Sequence, residues 1–298
     1  MYFIDLVKQK ERIREKLDKR ISTVLNHGKF IMGPEVFDLE QRLSKYIGVD
    51  YCITCSSGTD ALIIPLLAYN ISIGDAVITT PFTYIATAEA IRMVGATPIF
   101  IDIDPNTFNI NPKNIPLAIQ EAKHKSLNPK AIIPVDLFGL PADYSEIEKY
   151  ANEYNLFIIE DAAQGFGGGI NEKKTCSFGD ISATSFFPAK PLGCYGDGGA
   201  IFTNDPDLAQ IMKSIRIHGS GKDKYDNVRL GINGRLDTIQ AAILIEKLSI
   251  FPDELVMRNK VANYYTTRLD GEKYKSQKIP LNFLSSWAQY SILARSSY

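Results

Sequence analysis

Residues 157–169 read FIIEDAAQGFGGG: an apolar run ends on two adjacent carboxylates, Glu160 and Asp161, and small residues follow at once. Leu156 to Glu160 has the short, bounded, apolar character of a buried strand. Similar runs lie at Ala76 to Thr80, Pro98 to Ile103, Lys130 to Val135, Ile181 to Phe186 and Ala200 to Thr203. Between them fall helix-like segments near Asp60 to Tyr69, Ile85 to Val94, Asn114 to Lys123, Tyr144 to Tyr154 and Asp207 to Ile217. This alternation predicts βαβ units: an α/β fold with a mostly parallel sheet and helices on both faces. Ligands of such sheets sit at the carboxyl ends of the strands. An acid there can hold a protonated ring nitrogen, or it can cap the following turn; on these residues alone both readings of Asp161 stand.

Outward from this alternation, helical spacing at Lys8 to Leu25 and at Glu35 to Tyr46 predicts two opening helices, the second after the Gly33-Pro34 break. Two long helices are expected at Leu236 to Leu248 and Asp253 to Leu269. Asn171 to Thr175 and Gly219 to Asn227 have loop composition, and the second is a candidate lid or subunit-contact segment. No internal repeat or low-complexity stretch interrupts the pattern.

The chain has 298 residues, a formal net charge of -1, 45% hydrophobic and 22% charged residues, the proportions of an ordinary globular protein. Near-balanced charge argues against nucleic acid or a membrane surface as partner, so a small ligand is expected. No apolar run has the length of about 18 residues that spans a bilayer. The opening MYFIDLVKQKERIREKL lacks the apolar core of a signal peptide, which predicts a cytoplasmic protein. Cys52 and Cys55 form a CxxC, yet no second pair exists and only His27, His124 and His218 could join it. On a strand the two cysteines point to opposite faces, so they are read as structural and no metal is expected.

Two further stretches carry chemistry. In SSGTDALIIPLL, the turn Ser56-Ser57-Gly58-Thr59 runs into a helix, and the free N–H groups of a helix start, flanked by small residues, suit a phosphate; an ordinary N-cap has the same composition. In SFFPAKPLGCYGDGGA, 185–200, one lysine sits among aromatic residues, prolines and glycines. Lys190 can snorkel to solvent. Partly desolvated, it becomes an amine able to form a Schiff base. Ser185 lies five residues before it, at a strand end, where its hydroxyl can reach the phosphate of a ligand whose aldehyde meets the lysine. A phosphate cradle, a pyridinium carboxylate and a Schiff-base lysine, in that chain order, are the parts that pyridoxal 5'-phosphate needs. GFGGG and GCYGDGG do not give GxGxxG, and HGSGKD lacks the first glycine of a P-loop, so a dinucleotide or triphosphate site is not expected.

From FIDL at Phe3 through HGKFIMGPEV, SSGTDAL, TPFTYIATAEA, EDAAQGFG, SFFPAKPLGCYGDGGAIFTN and GINGRLDTIQAAIL to WAQYSI at Trp287, the sequence resembles the pyridoxal-phosphate-dependent, fold-type-I sugar aminotransferases of the DegT family. The resemblance covers essentially the whole chain. It implies transamination of a keto group on a nucleotide-linked sugar, such as UDP-3-oxo-N-acetylglucuronic acid, with glutamate as donor, in surface-polysaccharide biosynthesis. It also implies a homodimer with shared active sites. Carried over position by position, Lys190 would be the Schiff-base lysine and proton shuttle, and Asp161 would keep the pyridine nitrogen protonated. Gly58, Thr59 and Ser185 would bind phosphate, Tyr84 would stack on the ring, Gln164 would meet the phenolic oxygen, and Asn233 would reach the partner's phosphate. Gly28, Phe30, Ala189 and Arg235 would face the sugar, Arg235 pairing with a uronate carboxylate or, alternatively, forming an interface salt bridge.

Two departures bear on the sugar: relatives carry Tyr where this chain has Phe30, and Ser where it has Ala189. The family pattern also continues past WAQYSI with a substrate-contacting His-Tyr pair, whereas this chain stops at ARSSY. Residues 1–250 are therefore expected to form the large cofactor-binding domain, and 251–298 the start of an incomplete small C-terminal domain. Two other functions stand beside the aminotransferase. A sugar dehydratase uses the same fold, but the relatives that do that chemistry replace the lysine with histidine. A truncated chain could also only bind cofactor or dimerise.

Overall fold

The computed structural model describes residues 5–294 other than 224, 270 and 272. Phe3 and Ile4 of the opening FIDL, and RSSY at the end, lie outside the described residues. Helices α1 (Leu6–Glu11), α2 (Arg14–His27) and α3 (Pro34–Ile47) precede β1 (Tyr51–Cys55), α4 (Gly58–Ala68), β2 (Asp75–Thr79), α5 (Ala86–Met93) and β3 (Thr97–Phe100). Next come α6 (Ile115–His124), β4 (Asn128–Ile132), α7 (Tyr144–Tyr154) and β5 (Phe157–Asp161). A hairpin of β6 (Gly169–Ile170) and β7 (Lys173–Lys174) leads to β8 (Ile181–Ser185), β9 (Gly199–Thr203), α8 (Pro206–Ile215) and α9 (Thr238–Thr266). The short strands β10 (Tyr274–Ser276), β11 (Phe283–Leu284) and β12 (Ile292–Ala294) close the described chain.

Seven strands form one sheet in the order β1-β9-β8-β5-β4-β2-β3. Its pairings are parallel except those of β9, which runs against both β1 and β8. Alternate side chains feed separate cores. Ile53, Cys55, Val77, Ile159 and Ile201 pack under α4, α5 and α8. On the opposite face Cys52 and Phe202 meet α3 and α9, and Ile78, Ile132 and Ile158 meet α6 and α7. Cys52 and Cys55 thus part as strand periodicity requires, and all four cysteines are buried free thiols.

Three elements differ from the sequence reading. The helix expected over Lys8 to Leu25 breaks: Arg12 and Ile13 donate to carbonyls three residues back, Gln9 at 3.2 Å and Lys10 at 3.1 Å, a tight turn that seats Ile13 and Leu17 against Ile243. The two helices expected around Pro252 are one, α9, with Pro252 inside it. A proline there removes one i→i−4 bond; the helix continues because Phe251 is buried in the core and α9 packs on α2 and α3. The loop expected at Asn171 to Thr175 is partly paired, as β6 and β7 turn over Asn171 and Glu172 and β11 adds to β6.

The antiparallel return of β9 matters for the site. The connection 186–198 leaves the carboxyl end of β8 and re-enters beside it, so it is held at that end from both sides. Phe186 N–H donates to the Gly198 carbonyl at 2.7 Å and Cys194 N–H to the Phe186 carbonyl at 2.7 Å. Lys190 sits on this loop.

Candidate active site

The β1–α4 turn builds a corner that has no room for side chains. Ser57 is extended, with its Oγ accepting the Asp60 N–H at 3.0 Å, so α4 begins at Gly58 with a proper cap. A Cβ on Gly58 would lie 2.6 Å from the Ser185 Cβ, so only glycine lets the helix start sit on the end of β8. The Gly58 and Thr59 N–H groups belong to the first turn, where no intrahelical acceptor exists. They share this corner with the Ser185 hydroxyl, which accepts the Phe187 N–H at 3.2 Å and keeps its own proton to donate. Gly58, Thr59 and Ser185 are therefore brought together at one corner, whose free donors could take an anion.

The adjacent acids of β5 separate to opposite faces of the sheet. Glu160 is wholly buried and accepts the N–H groups of Cys176 at 2.8 Å and Phe178 at 2.9 Å and the Ser182 hydroxyl at 2.6 Å. Asp161 accepts the Thr87 hydroxyl at 2.8 Å and the Ala163 N–H at 3.2 Å. Burial pushes the Asp161 carboxyl up, and Thr87, the Ala163 N–H and the Lys190 charge oppose that push. Burial in turn pulls the half-buried Lys190 ammonium down, against the attraction of Asp161. Acid and amine thus lie in each other's field, Asp161 at the end of β5 and Lys190 just past the end of β8.

Gln164 follows on the β5 turn. Its Oε1 accepts the Phe138 N–H at 2.7 Å, which fixes the amide and leaves the NH2 side to donate elsewhere. Tyr84, 67% exposed, lies in the loop after β2, and its carbonyl accepts the N–H of Thr87, the residue whose hydroxyl meets Asp161, at 3.2 Å.

The remaining candidates form a neighbouring group. Gly28 ends α2 with φ +68°, a left-handed position that suits glycine, and Phe30 is exposed. The Thr238 N–H donates to the Phe30 carbonyl at 2.9 Å and Ile31 bridges Asp237, which ties this segment to 233–238. Arg235 donates to Asn233 Oδ1 at 2.6 Å while its buried Nε has no partner. The Gly234 carbonyl accepts the Ser56 N–H at 3.0 Å, which joins this group to the phosphate corner. Ala189 is exposed on the Lys190 loop.

Two residues that the sequence reading did not single out lie beside these candidates, Thr87 inside the TPFTYIATAEA motif and Asp136 just past the Lys130 to Val135 run. Thr87 is the hydroxyl on Asp161; its signal is the pair Thr83 and Thr87, one turn apart and 3.0 Å from each other. Asp136 is fully buried behind the Gln164 turn, where a Cβ on Gly165 would meet its Oδ2 at 2.5 Å. Burial and the facing Glu160 push its carboxyl well above the usual range. Burial raises the Glu160 carboxyl too, opposed by its contact with Asp136, the Ser182 hydroxyl and the Cys176 and Phe178 N–H groups.

The residues present fit pyridoxal 5'-phosphate: a glycine-lined helix start beside a serine hydroxyl, a buried acid that accepts two donors, and a lysine lowered by burial in the field of that acid. Among the described residues no group of three or more His, Cys, Asp or Glu could hold a metal ion, and no helix is long and apolar enough to cross a membrane.

Comparison with known proteins agrees with this chemistry. The model of the DegT/DnrJ/EryC1/StrS aminotransferase family matches residues 11–298. The chain is 48% identical over 290 residues, 97% of its length and 79% of the relative's, to a Pseudomonas aeruginosa UDP-2-acetamido-2-deoxy-3-oxo-D-glucuronate aminotransferase. A DegT/DnrJ/EryC1/StrS aminotransferase from Brucella abortus superposes with TM-score 0.96 at 50% identity, covering 98% of this chain and 78% of that one. A Bacillus subtilis protein solved with bound cofactor PMP superposes with TM-score 0.87 at 34% identity, covering 95% of this chain and 64% of that one.

Proposed function

The chain belongs to the DegT/DnrJ/EryC1/StrS aminotransferase family, and from that premise we propose that it transfers an amino group to a keto carbon of a nucleotide-linked sugar, using pyridoxal 5'-phosphate. The observation that carries the reading is the lysine of the β8–β9 loop held in the field of a buried acid, beside a glycine-only anion corner.

When bound, the cofactor supplies an aldehyde to take the donor's nitrogen and a ring that delocalises the electron pair left on the donor's α-carbon. The chain supplies the rest. Gly58 N–H, Thr59 N–H and the Ser185 hydroxyl anchor the phosphate at the start of α4, where the helix dipole favours a dianion. Asp161, kept ionised by Thr87 and the Ala163 N–H, holds a proton at the ring nitrogen. Lys190 Nζ takes the proton from the donor's α-carbon; burial lowers its pKa and so raises the neutral fraction that this step needs. Gln164 presents its amide NH2 to the phenolic oxygen, and Tyr84 closes over the ring.

The sugar is proposed to be a UDP-linked 3-oxo-uronate, the substrate named for the Pseudomonas relative. Gly28, Phe30, Ala189 and Arg235 would face it, with the buried, unpartnered Arg235 Nε ready for a carboxylate. Glutamate is the proposed donor, surface-polysaccharide synthesis the setting and the cytoplasm the place. A homodimer in which Asn233 reaches the partner's phosphate completes the reading, with the loop 219–227 at the subunit contact. The division into a large body, 1–250, and a smaller unit from 251 belongs to the same reading, with α9 as the shared spine.

The test is the visible spectrum of the protein supplied with cofactor, before and after L-glutamate. A lysine-dependent visible band that glutamate discharges is the expected result, and Lys190→Ala should lack both band and turnover. Turnover retained in that variant sinks the mechanism.

A further inference from the structure

A cavity of ≈ 350 Å³ adjoins the Lys190 loop between α1 and α9; Lys190, Lys247, Arg258, Glu254, Trp287 and Tyr290 are among its walls. Asp161, Gln164 and Ser185 are not in its lining, so it is a separate compartment that shares Lys190 with the cofactor site.

Its charges are unevenly matched. Glu254 accepts the Gln9 amide at 3.0 and 2.9 Å and has the Arg12 guanidinium at 3.5 Å; Asp5, also in the wall, accepts the Lys8 N–H at 3.1 Å. Both acids therefore have partners of their own. Lys247, 2% exposed, has the Tyr195 ring with its centroid at 5.0 Å from Nζ, and it lies in the field of Glu254, Cys194 and Arg258. The Tyr195 hydroxyl is buried without a partner among the described residues. Arg258, on the same helix, makes one bond to the cavity's rim, to the Pro191 carbonyl at 3.3 Å. Lys247 and Arg258 thus share the one carboxylate of Glu254, which also serves Gln9 and Arg12, and an anion in the cavity evens this excess of positive charge.

We propose that this cavity is a carboxylate subsite, in which Lys247 and Arg258 hold the side-chain carboxylate of a dicarboxylic amino-acid donor while the amino-bearing end meets Lys190. The inference rests on the reading of Lys190 as the reacting amine. The volume of ≈ 350 Å³ suits an amino acid. Burial draws the Lys247 ammonium down to about 8, the behaviour of a cation waiting for its anion.

Calorimetric titration of the cofactor-loaded protein with glutarate, a dicarboxylate without an amine, tests the subsite apart from turnover. Saturable binding is expected, weakened about tenfold or more in Lys247→Met and within about threefold of the parent in Lys247→Arg. The visible band should be unchanged in both variants, which also reports that they fold. Glutarate affinity unchanged in Lys247→Met, or no saturable binding by a parent that shows the band, overturns the proposal. A parent without the band but with Lys247-dependent glutarate binding leaves the subsite standing and removes the reading of Lys190. UDP-glucuronate goes into the same titration. Lys247-dependent binding of it alone moves the carboxylate to the sugar and overturns the assignment to the donor.

Discussion

Burial pushes the Asp161 carboxyl up, and one hydroxyl, one backbone N–H and the field of one lysine oppose that push. A hydrogen bond to a charged group contributes about 1.5–3 kcal/mol, so the Thr87 hydroxyl is a large share of what favours the ionised acid. Thr87→Val keeps the shape and removes the donor. Because Thr87 lowers the Asp161 pKa, its loss raises it, and the acid limb of kcat/KM against pH should move to higher pH, with activity at neutral pH down by about tenfold. An unchanged acid limb would show that Asp161 does not govern ionisation at the ring. At this scale Asp161, Lys190, Ser185 and Gly58 were legible because each stands at a strand end or helix start that its own segment announces. Thr87 was not, since TYIATAEA reads as an ordinary helix and its partner lies 74 residues away.

At the scale of elements, the anion corner depends on how closely α4 approaches β8. A Cβ on Gly58 would lie 2.6 Å from Ser185 Cβ, a backbone-proximal atom that cannot rotate aside, so Gly58→Ala must push helix and strand apart. Such overpacking costs about 1–3 kcal/mol. Ser57→Ala removes only the cap on the Asp60 N–H, about 1 kcal/mol, with no clash. Melting and cofactor titration should separate them: Gly58→Ala weakens the cofactor more than its loss of stability explains, whereas Ser57→Ala mainly lowers Tm. Equal cofactor affinity in Gly58→Ala and parent would remove the corner from the phosphate. The βαβ alternation was legible because the strands at the centre of the seven-stranded sheet each carry or adjoin an apolar run. The unity of α9 was not: Pro252 signals a stop locally, and the burial of Phe251 and the packing on α2 and α3 that override it come from distant segments.

For the whole molecule, the proposed cofactor site is assembled from strand ends, which local patterns locate, while the cavity beside it gathers α1, the Lys190 loop, α9 and the Trp287 segment, which no local pattern joins. Lys247 sits in a sequence, AAILIEKL, that reads as a plain amphipathic helix. Its burial has a consequence for folding that is independent of catalysis. The folded ammonium titrates at about 8 and the free side chain at 10.5, so between these pH values the unfolded chain binds more protons and stability rises with pH. Below about 8 the full penalty is present, an interval of about 2.5 in pH at about 1.4 kcal/mol each, or roughly 3 kcal/mol. Lys247→Met, similar in length and apolar, removes it. Denaturant unfolding of the ligand-free protein should find the variant more stable than the parent by roughly 3 kcal/mol at pH 7, and this advantage should shrink towards zero as pH approaches 10.5. A difference that does not change between pH 7 and pH 9.5 would mean that Lys247 is solvated or paired in the folded protein. A stability gain joined to loss of glutarate binding would identify a position where the fold carries a cost that its ligand offsets.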